Sequence, residues 1–177
     1  MQFKNLKIST RLISAMGLLT ALLVGVVVVA ILQMQAMRKN TQQITGNWLP
    51  SIELVDTLRA NIAELRALES QHVQNSDEGA MDRINNVMIE ALASIEKVRS
   101  EYAGFIDSAE ERSIYGAFET DWKKYLEQHA QLVDFSSKRD KFPARKLLEN
   151  ESKATYDNIK ASIKKLTDLN QIGRAHV

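Results

Sequence analysis

Histidine and glutamate residues at helical spacing are the first candidates for chemistry in this sequence. Glu69 and His72 form a Glu-x-x-His motif, and helical bundles that hold two metal ions use two such motifs with two further glutamates. The second motif is missing, because Glu127 and His129 stand only two residues apart. The sequence also lacks cysteine, which excludes thiolate metal sites. We therefore expect no metal or other cofactor, with Glu69 and His72 at the rim of the fold and His129 hydrogen-bonded in its core.

No motif of an enzyme class is present either. The sequence has no glycine-rich phosphate loop and no G-x-S-x-G nucleophile elbow. Its 23 basic and 22 acidic residues give a formal charge of +1, which offers no reason to expect binding to nucleic acid. The sequence therefore predicts a protein that is not an enzyme and has no nucleic-acid partner.

Two arginines offer a different chemistry. Arg59 and Arg66 are seven residues apart, which places both on one face of a helix beside the apolar Leu58 and Leu65. A guanidinium group can bind a carboxylate through two parallel hydrogen bonds. The pair is therefore a candidate anion site. The alternative is that these arginines extend into solvent or pair with a neighbouring glutamate.

Four stripes of apolar residues predict the helices that position these side chains. Residues within each stripe alternate between spacings of three and four, which is typical of helices that pack along a seam. The stripes run over 55–65, 81–105, 115–132 and 148–169. Four amphipathic helices bury their stripes together in a four-helix bundle, so we predict an all-α fold.

Short connections between the stripes predict that successive helices are antiparallel. A residue at 76–77 can cap the second helix, which is expected to end near Asp107. Ser108 and Glu111 form a capping-box pair at the start of the third helix. Pro143 fits the first turn of the fourth helix. The predicted order is up-down-up-down.

An uncharged apolar segment precedes the bundle. Between Arg11 and Arg38 there are 26 uncharged residues, and 18 of the 23 residues from Leu12 to Met34 are apolar. A helix rises about 1.5 Å per residue, so this segment can cross a hydrocarbon core of about 30 Å. We predict a transmembrane helix over 12–34.

The basic residues around this segment predict its orientation. Residues 1–11 hold three basic side chains and the terminal amine, against two basic residues at 38–39, which favours a cytoplasmic N-terminus. Residues 1–11 then form a cytoplasmic stub, and 35–171 form a bundle outside the cytoplasm. The alternative is a secretory signal that is cleaved after Ala30.

Nothing in the pattern separates the apolar segment from the first bundle helix. We therefore expect one helical rod from about Leu12 to Gln74. Its one flaw is Pro50, whose ring would crowd the carbonyl of Gly46. A kink is expected there, and a helix that begins again at Pro50 is the alternative.

Two segments carry a resemblance to a known family. The segments are NLKISTRL at 5–12 and NWLPSIELV at 47–55. Together with the four-helix pattern, they resemble the start of bacterial methyl-accepting chemotaxis proteins whose extracytoplasmic sensor is a four-helix bundle. The resemblance implies a homodimeric, ligand-binding periplasmic bundle anchored in the bacterial inner membrane.

The rest of a receptor follows from the resemblance as well. It implies a second membrane helix after the fourth bundle helix, a HAMP linker, and a methylated cytoplasmic hairpin that binds the chemotaxis kinase and its adaptor. The chain stops before these parts. The same sensor attached to a histidine kinase or a cyclic-dinucleotide enzyme is one alternative, and an anchored structural bundle without a ligand is another.

The resemblance also implies where a ligand binds. Receptors of this type hold small solutes on the distal half of the bundle, between the first and fourth helices or across the dimer interface. Measured from the distal turn, Arg66 lies about 13 Å along its helix, Arg59 about 24 Å, and Thr155 and Tyr156 about 20 Å. These four residues are predicted to bind a small organic acid or amino acid.

The last six residues read IGRAHV. This string is the translation of a common sequencing adapter, so residues 172–177 are expected to be a non-native tail. The alternative is that the fourth helix continues naturally and ends at Gly173.

Overall fold

A computed structural model describes residues 8–43 and 49–175, and within these ranges the chain is entirely helical apart from short connections. The helices are α1 (Ile8–Gln43), α2 (Leu49–Gln74), α3 (Glu78–Ala103), α4 (Ala109–Ser137), α5 (Lys141–Glu149) and α6 (Glu151–Ala175). They form two compact units, one containing α1 and the other containing α2 to α6. The predicted all-α fold with an N-terminal apolar helix and a four-helix bundle is confirmed.

Helix α1 is long and apolar enough to cross a membrane over Leu12–Gln35, in agreement with the predicted 12–34 segment. None of its residues in this window is buried within the protein. A signal sequence near an N-terminus passes the same test of length and composition, so both interpretations fit this helix. The predicted rod from about Leu12 to Gln74 would run through residues 44–48, where its kink is also expected, and these lie outside the described residues. Pro50 stands in the first turn of α2, where its missing amide costs no helical hydrogen bond.

The bundle unit brings the four predicted stripes together. Helix α2 packs against α3 and α6, and α4 packs against α6 and α5. Each of the four stripes contributes side chains that are at most 1 % exposed. They include Leu58, Ile62, Leu65, Met88, Ile95, Phe118, Tyr125, Ile159 and Leu166. Burying each of these side chains stabilises the fold by about 1.5–3 kcal/mol relative to leaving it exposed. The stripes are therefore the core of the bundle.

Six aromatic side chains form a continuous column through this core, which we call the aromatic ladder. Its successive ring centroids are 5.6, 5.6, 6.4, 5.7 and 6.4 Å apart, within the range of favourable ring contacts. It consists of Tyr102, Tyr115, Phe118, Trp122, Tyr125 and Tyr156. The ladder connects α3, α4 and α6.

The helix caps largely follow the sequence signals. The Ala80 amide donates to Asp77 Oδ1 at 2.7 Å, and the Glu111 amide donates to Ser108 Oγ at 3.0 Å. The Glu111 carboxylate accepts from the Asp107 amide, at 3.3 Å. Helix α3 ends at Ala103 rather than near Asp107, because the Gly104 amide bonds to Glu101 and turns the chain.

The fourth bundle helix is interrupted, which the sequence did not predict. Helix α5 ends at Glu149 and α6 begins at Glu151, with Asn150 between them at φ −115° and ψ −87°. Helix α6 continues past Gly173 to Ala175, so Gly173 does not end it. Residues 176–177 of the expected tail lie outside the described residues.

Candidate functional site

A groove of about 540 Å³ lies between α2 and α6. Its apolar lining consists of the buried Ile62 and Ile163 and the exposed Ala63 and Ala161. Its polar lining consists of Arg59, Tyr156, Lys160, Lys164, Thr167 and Asp168. The volume and the combination of apolar lining with a few polar groups are typical of small-molecule sites.

The basic side chains of this groove are only weakly engaged. Arg59 is 63 % exposed and pairs with Asp56 at 3.0 Å. Lys164 pairs with Asp168 at 2.6 Å, while Lys160 lies 3.9 Å from Asp157. Exposed pairs of this kind contribute about 0–1 kcal/mol. A carboxylate that enters the groove can therefore compete for these cations.

Tyr156 forms an aromatic wall of the groove. Lys160 Nζ lies 5.4 Å from the centroid of its ring. Burial raises the pKa of the Tyr156 hydroxyl, so this group stays protonated at neutral pH. The side chain can stack on a flat ligand and donate a hydrogen bond to it.

Arg66 lies in the core rather than along the groove, with 15 % of its side chain exposed. Its Nη1 donates to Glu69 Oε2 at 3.1 Å and to Ser152 Oγ at 2.7 Å, and its Nη2 donates to the carbonyl of Leu148. Its guanidinium carbon lies 5.5 Å from the Tyr156 ring centroid. Arg66 therefore contacts a wall of the groove, while its guanidinium donates hydrogen bonds to Glu69, Ser152 and Leu148 of the protein itself.

Glu69 is fully buried and collects hydrogen bonds from α4 as well as from Arg66. The Tyr125 hydroxyl donates to Glu69 Oε2 at 2.6 Å, and His129 Nδ1 lies 2.7 Å from Oε1. Burial, followed by the Glu69 charge, raises the pKa of Tyr125 well above its usual range. We call Arg66, Glu69, Tyr125, His129 and Ser152 the polar core.

The prediction that Glu69 and His72 lie at the rim is wrong, because they are 0 % and 1 % exposed. Helix α5 folds over this end of the bundle and packs Ala144 and Leu148 against neighbouring helices. The prediction that His129 is hydrogen-bonded is confirmed, and the residue is partly buried, with 12 % of its side chain exposed.

His72 belongs to a second buried polar group. Its Nδ1 lies 2.8 Å from Ser136 Oγ, and Lys141 Nζ donates to the His72 carbonyl at 3.1 Å. Burial and then the Lys141 charge lower the pKa of His72. In the described part of the chain, no group of three or more histidine or acidic side chains could hold a metal ion.

The structure separates the four predicted site residues into two sets. Arg59 and Tyr156 line the same groove, whereas Arg66 is in the polar core. Thr155 is 2 % exposed and its hydroxyl donates to the Glu151 carbonyl of its own helix, at 3.1 Å. Sequence reasoning did not identify Lys160 as a groove residue, although it follows Tyr156 by four positions and so shares its helix face.

Comparison with known proteins gives two findings. A family described as a four helix bundle sensory module for signal transduction matches residues 5–173. A Bacillus subtilis (strain 168) protein named "Putative sensory transducer protein YvaQ" is 26 % identical over 157 residues. That alignment covers 88 % of this chain and 28 % of the relative.

Proposed function

Because the chain belongs to the family of four-helix-bundle sensory modules for signal transduction, we propose that it is the sensor part of a transmembrane chemoreceptor of the methyl-accepting type. It acts by binding rather than by catalysis. Its relative is named a sensory transducer and is several times longer than the aligned region, which supports a receptor with further domains.

The proposed receptor lies in the bacterial inner membrane. Helix α1 crosses the bilayer, the N-terminus is cytoplasmic, and the bundle of α2 to α6 lies in the periplasm. The apolar segment Leu12–Gln35 and the three basic residues before it support this arrangement. The bundle pairs with a second copy of the chain, and the longer receptor acts on the chemotaxis kinase and its adaptor.

The groove between α2 and α6 is the proposed ligand site, and the three cations Arg59, Lys160 and Lys164 beside its apolar lining are the observation that carries the proposal. The ligand is a small organic acid or amino acid. Arg59 binds its carboxylate, and Tyr156 stacks on its apolar part. Arg66 and Thr155 act on the ligand indirectly, since both lie in the protein interior next to the Tyr156 segment.

A thermal-shift screen of the chain in detergent against organic acids, aromatic acids and amino acids tests this proposal. At least one class is expected to raise the melting temperature, because a ligand that binds the folded state stabilises it. Calorimetry then measures the affinity of Arg59→Ala for that compound. The affinity is expected to be about tenfold lower or more, because a hydrogen bond to a charged group is lost.

Lys97→Ala is the matched control, because Lys97 is an exposed cation of α3 that pairs with Glu101 outside the groove. Its affinity should equal that of the original chain. A chain that shows no shift with any compound would instead be a structural bundle without a ligand.

A further inference from the structure

The interruption of the fourth bundle helix has a defined geometry. The Asn150 amide donates to the Lys146 carbonyl at 3.2 Å, and the Ala154 amide donates to the Asn150 carbonyl at 2.9 Å. The backbone angles of Asn150 are not helical. Two helical segments therefore meet at a single residue inside the bundle.

The local sequence favours a continuous helix at this point. Residues 147–154 read LLENESKA, without glycine or proline. Leucine, glutamate, lysine and alanine are all good helix formers. A sharp break without proline or glycine occurs at a π-bulge or where a side chain or a water inserts into the ladder of backbone hydrogen bonds.

Arg66 is such a side chain. Its Nη2 donates to the Leu148 carbonyl, which in a continuous helix would accept from the Ser152 amide. Its Nη1 donates to the Ser152 hydroxyl at 2.7 Å. One guanidinium therefore spans the junction of α5 and α6, and Glu69 holds it there at 3.1 Å.

We infer that Arg66 imposes the interruption at Asn150 and that the fourth helix has a second, continuous state when Arg66 is withdrawn. Continuity would change the rotation and height of α6 relative to α5, because the backbone at Asn150 would become helical. Arg66 is then a positioning residue for the whole of α6.

The ligand groove is the natural input to this switch. Arg66 contacts the Tyr156 ring, and Tyr156 lines the groove. A ligand that interacts differently with Tyr156 in the two states shifts the balance between them. This step rests on the proposed function, whereas the origin of the interruption does not.

Asn150 itself is the competing cause. Its side-chain Nδ2 donates to the Lys146 carbonyl at 2.8 Å, and asparagine can end a helix through such local bonds. Asn150→Ala removes this bond and leaves Arg66 in place. The interruption should persist in this variant, and a continuous helix in it would overturn the inference.

Amide hydrogen exchange of residues 151–153, measured on the full chain in detergent, tests the inference directly. Arg66→Lys keeps a positive charge for Glu69, but a single ammonium does not reproduce the fork across the junction. Exchange at these amides should slow severalfold as they gain intrahelical partners. Unchanged or faster exchange in a folded variant would overturn the inference.

Arg99→Lys is the matched control. The Arg99 side chain is 14 % exposed, pairs with Glu119 and lies over the Trp122 ring, but it sits on α3. Amide hydrogen exchange at residues 151–153 should be the same in Arg99→Lys as in the original chain. Should Arg66→Lys fail to fold by circular dichroism, Arg66→Met combined with Glu69→Gln removes both charges together, and slow exchange at 151–153 is expected there too.

Benzoate serves as the probe for the ligand step. At a saturating concentration it should alter exchange at 151–153 in the original chain and leave it unaltered in Arg66→Lys. Binding without any change at these amides would overturn the coupling to the groove. If benzoate does not bind, the proposal that the groove takes this ligand is contradicted. The Arg66→Lys comparison, which needs no ligand, still decides the origin of the interruption.

Discussion

Glu69 shows why the polar core could not be found from the sequence. Its partners Arg66, Tyr125 and His129 stand 3, 56 and 60 positions away along the chain. A buried carboxylate is tolerated only when a charged partner and further hydrogen bonds compensate for its lost hydration. Residue spacing drew attention to Glu69 and His72 and offered a neighbouring glutamate to Arg66 on the same helix. No spacing rule identifies Tyr125 and His129, which lie on another helix.

His72 predicts an acid sensitivity of the bundle. Burial, then the Lys141 charge and then His129 hold its pKa below the ordinary value of 6.5, and the Asp82 charge opposes them with a smaller effect. Below about pH 6.5, His72 is therefore protonated in the unfolded chain while it stays neutral in the folded chain. Stability should fall with pH by up to about 1.4 kcal/mol per unit until folded His72 titrates.

Urea denaturation at about pH 7.5 and about pH 5.5 measures this loss. His72→Asn keeps a polar side chain but removes the titrating group, so its stability should fall less over the same interval. Equal losses in the two proteins would show that other groups cause the effect.

At the scale of the helices, the sequence predicted what depends on apolar spacing and missed what depends on tertiary contacts. The stripes, the antiparallel order and the Asp77 cap follow from local chemistry. The interruption at Asn150 does not, because the residues around it favour a continuous helix. The groove was half predicted, since Arg59 and Tyr156 belong to it and Arg66 does not line it.

The end of α4 provides a stability prediction. Arg139 has φ 62° and lies just after the end of α4. The Asp140 amide donates to the Phe135 carbonyl there, and the Arg139 amide donates to the Ser136 carbonyl. Glycine is the usual residue at this left-handed position, because a Cβ is strained there. Arg139→Gly should raise the free energy of unfolding by about 0.5–1 kcal/mol.

The adjacent Lys138 provides the control, because its φ of −74° is accessible to any residue. Lys138→Gly gives the same side-chain loss without relief of strain, so it should destabilise the chain slightly in the same urea titration. A destabilised Arg139→Gly would mean that the exposed Arg139 to Glu78 contact, at 3.3 Å, outweighs the strain.

The whole molecule combines an apolar helix with a polar bundle, and the absence of cysteine makes its topology measurable. Ser9→Cys and Ser100→Cys each introduce a single thiol, before the apolar segment and in the bundle. In intact bacterial cells, a membrane-impermeant maleimide should label the thiol at 100 and not the one at 9. The reverse pattern would contradict the proposed orientation. If both thiols are labelled only after the cells are disrupted, both units lie in the cytoplasm.

Self-association is the second prediction at this scale. The proposed receptor pairs through its bundle, so the detergent-solubilised chain should elute with twice the chain mass after correction for bound detergent. Light scattering combined with size exclusion measures this mass. A mass of one chain at high protein concentration would contradict the homodimer.

The aromatic ladder gives the bundle an optical reporter of its own. Trp122 is 3 % exposed and stacks 5.7 Å from Tyr125, which in turn lies 6.4 Å from Tyr156. Over separations this short, excitation absorbed by the tyrosines passes to the indole by resonance transfer. The emission of Trp122 therefore reports on the tyrosine rings of the ladder, including the one that lines the groove, and Trp48→Phe leaves it as the single tryptophan.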